Sequence, residues 1–403
     1  MQHTAAIRIS LLALVASLAF SLLVFPLISE TQRANSDPDR FGQLALNIAQ
    51  GNGFVYEKGG AGVLERTPLY PYIVAGLFKL NDGFSVASVQ ILQAVLHAIT
   101  SFVVYLIGLR IYARRTAILA QTVFALHPIA IWYTARIWAE TTHTLLLMFV
   151  GLALMILLES LSLKRSFLVG LIFGLSCLTK SILLLFPILL LGFLTGRFRS
   201  QGMKYGIVVI VAMLAIIFPW TLRNFQISRH VVPVNTSLGF NLIQGDVIGE
   251  QWPSENKYML DYWVAGETRA NSILAPYGVP WESGKGDQIL CRTALNNYAR
   301  EPLFLVRRLV ANFCTFWHLS ESLAKSLLFG IAQMLLMLAA CVSSVQMPSA
   351  ERRTLAPLIA LLLYYILVNV AVMGIARYSM PTIPFLLIIA APLIDKVFFH
   401  RTA

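Results

Sequence analysis

Asp37 and Asp39 open a polar stretch, Asp37-Pro38-Asp39-Arg40-Phe41, that runs on through Asn47, Gly51, Gly53 and Phe54 to Arg66-Thr67-Pro68-Leu69-Tyr70-Pro71. A carboxylate can take a proton from an attacking hydroxyl, and an arginine can hold an anion through two parallel hydrogen bonds. The stretch follows directly on the first apolar segment. It sets two carboxylates and several cations beside a membrane surface, where packing requires none of them. That is the composition of a site.

The rest of the chain is made of the elements that would position these groups. It is 57% hydrophobic and 12% charged, with a mean hydropathy of +0.71, whereas a soluble domain carries about 25% charged residues. Runs long enough, or nearly so, to cross about 30 Å of hydrocarbon recur throughout, and in lipid they must be helical because each backbone group needs an internal partner. The expected fold class is an all-α polytopic membrane protein. The first run, 9–28, is longer than a signal-peptide core and no small-residue cleavage site follows it, so a retained helix is expected. The four cysteines lie scattered and suggest neither a disulfide framework nor zinc.

The net charge of +12 does not point to nucleic acid, because the basic residues fall in short clusters between apolar runs. Arg8, Arg110/Arg114/Arg115, Lys164/Arg165, Arg197/Arg199/Lys204, Arg352/Arg353 and Lys396/Arg401 fit the cytoplasmic side. Both termini are then expected inside. About ten spans are predicted, near 8–28, 86–109, 116–134, 140–160, 166–180, 181–196, 204–220, 325–345, 355–375 and 379–395. They divide the chain into a core at 1–220 that includes a first outer loop at 29–85, an outer region at 221–324 between spans seven and eight, and C-terminal spans at 325–403. Within the first loop, Phe41, Leu44, Ala45 and Ile48 recur at helical spacing until Gly51 and Gly53. An amphipathic surface helix is expected there, lying on the bilayer with Asp37 and Asp39 at its start and Pro38 in its first turn. The outer region carries Trp252, Tyr258, Tyr262, Trp263 and Trp281, which suits an ordered cap or an interfacial belt. In 303–319, Arg307 and Arg308 interrupt an apolar stretch, and a helix lying along the surface is expected.

The string D-x-x-x-F-x-x-L-A-x-N-I-x-x-G-x-G-F from Asp37 to Phe54, followed by R-T-P-L-Y-P at Arg66–Pro71, resembles the first periplasmic loop of glycosyltransferase family 39, within the C-type polytopic glycosyltransferases. His127-Pro128 with Glu140, Leu175–Lys180, Pro219–Asn224, Ser237–Asn241, and Arg377-Tyr378 with Pro381 and Pro384 resemble further pieces in the same order. The resemblance implies an inverting transferase that takes a sugar from a polyprenyl phosphate at the outer face, with Asp37 as the base. Arg66, Lys180, Arg223 and Arg377 would surround the donor phosphate, and Asp39 and Glu140 would support the base or bind the acceptor. The acceptor would be a lipopolysaccharide, another glycolipid or a protein, and membrane lipids are the remaining partners expected. A bacterial plasma membrane is the implied location. Asp37-Pro38-Asp39 also forms a D-x-D string, which marks metal coordination elsewhere in the superfamily. Asp39 sits where family members tolerate many residues, so neither a metal nor another cofactor is expected.

Simpler readings stand beside these. Asp37 and Asp39 would serve as helix caps, Arg66 as a headgroup anchor, Lys180 as a snorkelling lysine and Glu140 as the partner of nearby Arg136. A flippase for lipid-linked sugars would use the same cations without bond breaking, and a polyprenyl-diphosphate-dependent polymerase or ligase would need the arginines but not the Asp37 loop. Asp37→Asn separates catalysis from transport.

Overall fold

In the computed structural model, which describes residues 3–28, 37, 39–253 and 257–399, helices follow one another along the described residues. No strand occurs among the described residues, only an isolated bridge between Val55 and Gly62. Among the described residues, seven helices are long and apolar enough to cross a membrane: Thr4–Leu27, Val86–Ile111, Glu140–Glu159, Ser181–Ser228, Leu323–Gln346, Ser349–Val372 and Ala376–Phe399. An eighth is reached if Arg114–Ala125 and Pro128–Thr134, bent by 51°, form one span. The all-α polytopic expectation holds, and the protein is an integral membrane protein.

Length and apolarity alone count fewer spans than the expected ten, at two places. The predicted span 166–180 appears as Leu163–Thr179, only 17 residues long. The predicted spans 181–196 and 204–220 are drawn together in the 48-residue run Ser181–Ser228. That run is broken at Arg199, whose φ of 56° and ψ of −135° are non-helical. A Cβ added to Gly206 would meet the Leu191 side chain at 2.6 Å. Fifteen residues of unbroken helix would hold those positions about 22 Å apart, so the chain reverses at Arg199, in the middle of the Arg197/Arg199/Lys204 cluster.

Ion pairs and hydrogen bonds mark the two ends of the helical bundle. At one end Arg110 pairs with Glu159, Arg115 Nε lies 3.0 Å from Asp395 Oδ1, and Thr116 donates to Asp395 Oδ2 at 2.8 Å. The helices that leave this end carry Glu140, Lys180 and Arg377 at the other. Between the ends lies an apolar core that includes Met148, Leu154, Phe173, Leu358, Leu361 and Phe385.

The first loop folds against this bundle. Phe41–Ala49 is helical as expected, and Gly51 and Gly53 follow it with φ of 79° and 86°, a conformation that suits glycine. Its apolar face does not lie open to a bilayer. Phe41, Leu44 and Ala45 are buried against Tyr70, Val74 and Phe78 of the helix Leu69–Leu80. Pro38, expected in the first turn, lies outside the described residues.

The region 221–324 is an ordered helical cap, with Leu238–Gln251, Met259–Leu274, Gly284–Arg300 and Pro302–His318. Trp281 stacks on Phe240 with centroids 4.0 Å apart, and Trp263 meets the same ring edge-on, so these tryptophans form a core. Pro302–His318 turns Arg308 inward, fully buried, while Leu303, Val306 and Val310 on the same helix stay exposed.

Candidate active site

Asp37 lies just ahead of the helix Phe41–Ala49, and its two carboxylate oxygens accept from the backbone N–H groups of Phe41 and Gly42, each at 2.7 Å. A helix start presents unpaired donors and a partial positive charge, which explains the attraction. Burial is the larger influence, and with help from the Asp39 charge it lifts the Asp37 carboxyl to about 7 despite those two bonds. Asp37 is therefore both the cap that the simpler reading foresaw and a group poised to exchange a proton near neutral pH. Each of its oxygens keeps a second lone pair.

Around it the chain gathers its neighbour Asp39 and residues from four distant segments. Burial pushes Asp39 upward, but Arg377 and Arg66 outweigh it and hold the carboxyl at about 2. Arg377 pairs with Asp39 and also with Glu140, whose side chain is fully buried. Lys180 Nζ donates to Glu140 Oε1 at 2.8 Å. Arg66 lies 3.7 Å from Asp39 Oδ1 and donates through Nε to the Asp39 carbonyl at 3.0 Å. The result is a chain of alternating charge, Arg66–Asp39–Arg377–Glu140–Lys180. Glu140 thus does not pair with Arg136, as the simpler reading expected. Arg136 instead donates to Glu321 Oε1 at 2.6 Å.

Local structure explains how each group arrives. Thr67 donates to the Thr179 carbonyl at 2.8 Å, which ties the Arg66 segment to the end of Leu163–Thr179. At Lys180 the backbone turns extended before a short 3-10 turn begins, so its side chain leaves the helix path. Arg377 follows an irregular stretch held from the cap side. Arg308 donates to the carbonyls of Ala371 and Val372 at 2.8 Å, and Asn312 accepts from the Gly374 N–H at 2.8 Å. Arg308 is fixed in turn by Asp246 at 2.6 Å.

Arg223 is not part of this network. Its guanidinium donates to the Val63 carbonyl at 2.6 Å and the Phe54 carbonyl at 3.3 Å, and sits 4.5 Å from the centre of the Trp220 ring. It fastens the first loop to the helix that ends at Ser228.

Several groups at the site were missed in the sequence. Tyr70 is fully buried, its hydroxyl has no hydrogen-bond partner among the described residues, and Asp37, Asp39, Glu140 and Arg377 all act on it electrostatically. Trp138 lies between two guanidiniums, 4.2 Å from Arg377 and 4.4 Å from Arg136. Beside it, Arg136, Glu321, Lys325 and Arg377 line a cavity of about 10 Å³, room for one water. The segment Arg136-Ile137-Trp138-Ala139-Glu140 carried a signal, an arginine, a tryptophan and a glutamate alternating just before a span. Nothing in the sequence linked Glu321 to it.

The D-x-D pair does not suit a divalent cation. The Asp37 oxygens face backbone N–H groups, and those of Asp39 face Arg66 and Arg377. Among the described residues, no three His, Cys, Asp or Glu side chains come together as a metal would need.

A family model described as dolichyl-phosphate-mannose-protein mannosyltransferase matches residues 65–222. That stretch contains Arg66, Glu140 and Lys180 but neither Asp37 nor Arg377. No curated protein matches the chain in sequence. Among solved structures, the apo oligosaccharyltransferase of Archaeoglobus fulgidus is similar over 98% of this chain and 51% of its own, at 14% identity and a TM-score of 0.58. The same organism's oligosaccharyltransferase AglB, solved with an inhibitory peptide and a dolichol-phosphate, is similar over 99% of this chain and 52% of its own, at 14% identity and a TM-score of 0.52. The chain spans about half the length of these proteins. ArnT from Cupriavidus metallidurans, solved with undecaprenyl phosphate, aligns over 97% of this chain and 78% of its own at 14% identity, with a TM-score of only 0.43. The chain has the fold of the C-type polytopic glycosyltransferases.

Proposed function

We propose that the protein is an inverting glycosyltransferase that moves a sugar from a polyprenyl-phosphate donor to an envelope acceptor. The observation that carries this reading is the alternating ion network beside Asp37. Three cations, Arg66, Lys180 and Arg377, meet two carboxylates, Asp39 and Glu140, so 3 − 2 leaves a net charge of +1. A sugar phosphodiester bears one negative charge, which the cations of this network can hold through charge-assisted hydrogen bonds. In the reaction the acceptor hydroxyl oxygen attacks the anomeric carbon and its proton passes to Asp37. The bond from that carbon to the phosphate oxygen breaks, and the polyprenyl phosphate leaves with the electron pair. The leaving monoester gains charge toward −2, and the preset guanidiniums of Arg66 and Arg377 stabilise that gain.

Asp39 and Glu140 hold the cations in position, Lys180 completes the cluster, and Arg223 acts one step out by fixing the loop. The dolichol-phosphate named with AglB and the mannosyl donor named in the family description agree with such a donor. Basic clusters at the opposite end of the bundle favour an outward-facing site, with both termini in the cytoplasm. Acceptor recognition would fall to the cap 221–324, nearly all of which lies beyond the family match.

The test is mass spectrometry of purified protein incubated with a panel of polyprenyl-phosphate sugars and an envelope lipid extract, comparing wild type with Asp37→Asn. One donor consumed and one acceptor shifted by a single sugar mass, in wild type only, is the expected result. Binding of a donor with no turnover would favour the flippase.

A further inference from the structure

We propose a second lipid site at the end of the bundle opposite the ion network, which takes one anionic phospholipid from that leaflet. A cavity of about 850 Å³ opens between the helix Glu140–Glu159, residues 186–198 and the helix Ser349–Val372. This volume lies in the usual range for ligand pockets. Its wall is apolar, formed by side chains such as Leu154, Leu158, Leu189 and Phe193. Arg197 and Arg353 stand at its mouth. Both are exposed, and neither has an ion-pair partner among the described residues. Glu159 also lines the cavity, but Arg110 already neutralises it.

The length of the cavity and the aromatic contact beyond it argue for the occupant. From Phe186 to Phe198 the lining helix rises about 18 Å, close to the depth of one leaflet in a hydrocarbon core about 30 Å thick. Toward the ion network, Phe186 and Tyr364 meet edge-on with centroids 5.1 Å apart, and the Tyr364 hydroxyl donates to the Ile182 carbonyl at 2.9 Å. That contact narrows the path toward Lys180. Arg353 lies 19 residues along its helix from Val372, or about 28 Å from the Arg377 end. A lipid with its phosphate on Arg197 and Arg353 therefore cannot also present that phosphate to Arg377. The chemistry fits a phosphate-headed lipid with acyl chains in the groove, distinct from the sugar donor.

Native mass spectrometry of the full chain in detergent tests this, with dioleoyl phosphatidylglycerol, dioleoyl phosphatidylcholine and undecaprenyl phosphate as probes. Wild type is expected to retain one phosphatidylglycerol in preference to phosphatidylcholine. Arg197→Gln with Arg353→Gln should weaken that retention roughly tenfold or more, since each basic residue near a membrane surface contributes severalfold to anionic lipid binding. Ala360→Phe, which fills the exposed wall of the groove, should weaken retention of either phospholipid while the thermal midpoint stays unchanged. Equal retention of the two phospholipids, or unaltered retention in the double variant, overturns the proposal. So does stoichiometric displacement of phosphatidylglycerol by undecaprenyl phosphate, which would give the groove to a polyprenyl lipid.

Discussion

Burial lifts the Asp37 carboxyl to about 7 against the pull of two backbone N–H groups, and activity and stability should then move in opposite directions across neutral pH. A base must be ionised, so kcat/KM should rise about tenfold per unit up to pH 7 and level off above it. The fold meanwhile favours the protonated carboxyl. That contribution to stability is complete below the ordinary value of 3.8 and is lost as pH rises through 7. Asp37→Asn keeps one of the two acceptor oxygens that cap the helix and loses the other, so the cap is weakened but not removed. The variant should cost about 10²- to 10⁴-fold in turnover and flatten both profiles, whereas a mere cap would leave activity near wild type. Tyr70 offers a second residue-level test. An unsatisfied buried hydroxyl costs stability, so Tyr70→Phe should leave the thermal midpoint equal or higher if the hydroxyl is idle. If that hydroxyl meets the substrate, the same variant should lose about tenfold in kcat/KM, as for one hydrogen bond of about 1.4 kcal/mol. Asp37 was legible because its type, its neighbours and the glycines beyond it formed one local string. Tyr70 stood in plain view within Arg66–Pro71, yet its hydroxyl gains meaning only when distant segments bring Asp37, Glu140 and Arg377 around it.

The segments between helices do the positioning, and they explain which parts of the site a linear reading could reach. Glu140, Lys180 and Arg377 each sit where a helix begins or ends, a signal visible as charge beside an apolar run. Their pairing was not visible, since Glu140 had Arg136 four residues away and the contact that forms is with partners 40 and 237 residues distant. Glu140→Gln leaves two largely buried cations without their shared carboxylate, and losing one member of such a pair costs about 3–5 kcal/mol. A fall in the thermal midpoint, larger than that caused by Asp37→Asn, is the expected outcome. The cap acts on Arg377 through another pair. Burial raises Asp246 above the ordinary aspartate value despite Tyr298 and Arg308 beside it, and Arg308 grips the carbonyls of Ala371 and Val372 that lead to Arg377. Asp246→Asn should therefore destabilise by a similar amount and also lower kcat, because the ion network loses its anchor. Unchanged turnover in a protein that remains folded would separate the cap from the site. In the sequence, Arg308 showed only as a charge inside an apolar stretch, and hydropathy has no term for an arginine satisfied by an aspartate 62 residues away.

At the scale of the molecule, periodicity and charge made the helices legible, while the way they turn depended on contacts that hydropathy ignores. The run Ser181–Ser228 holds the two expected spans, which turn back on each other at Arg199; the basic cluster had marked the place of the turn correctly, but not its tightness. The short helix Leu163–Thr179 falls below a usual span because Thr67 and Lys180 draw its end toward the site. Orientation remains a matter of charge. Arg110, Arg115, Arg197, Arg199 and Arg353 gather at the end marked by the Arg110–Glu159 and Arg115–Asp395 pairs, and Lys and Arg near span ends favour the cytoplasm. Single cysteines in a chain cleared of its four native ones would report this in intact cells with a thiol reagent that does not cross the membrane. Ala113, Ser200 and Ser349, at turns of the basic end, should stay unlabelled, and Asn81 and Tyr277, on the side of the ion network and cap, should be labelled. The opposite pattern would put the site on the cytoplasmic side, where the donor's sugar would have to face inward. Labelling of Ser200 together with Asn81 would instead mean that Ser181–Ser228 does not carry its turn across the bilayer to the basic end.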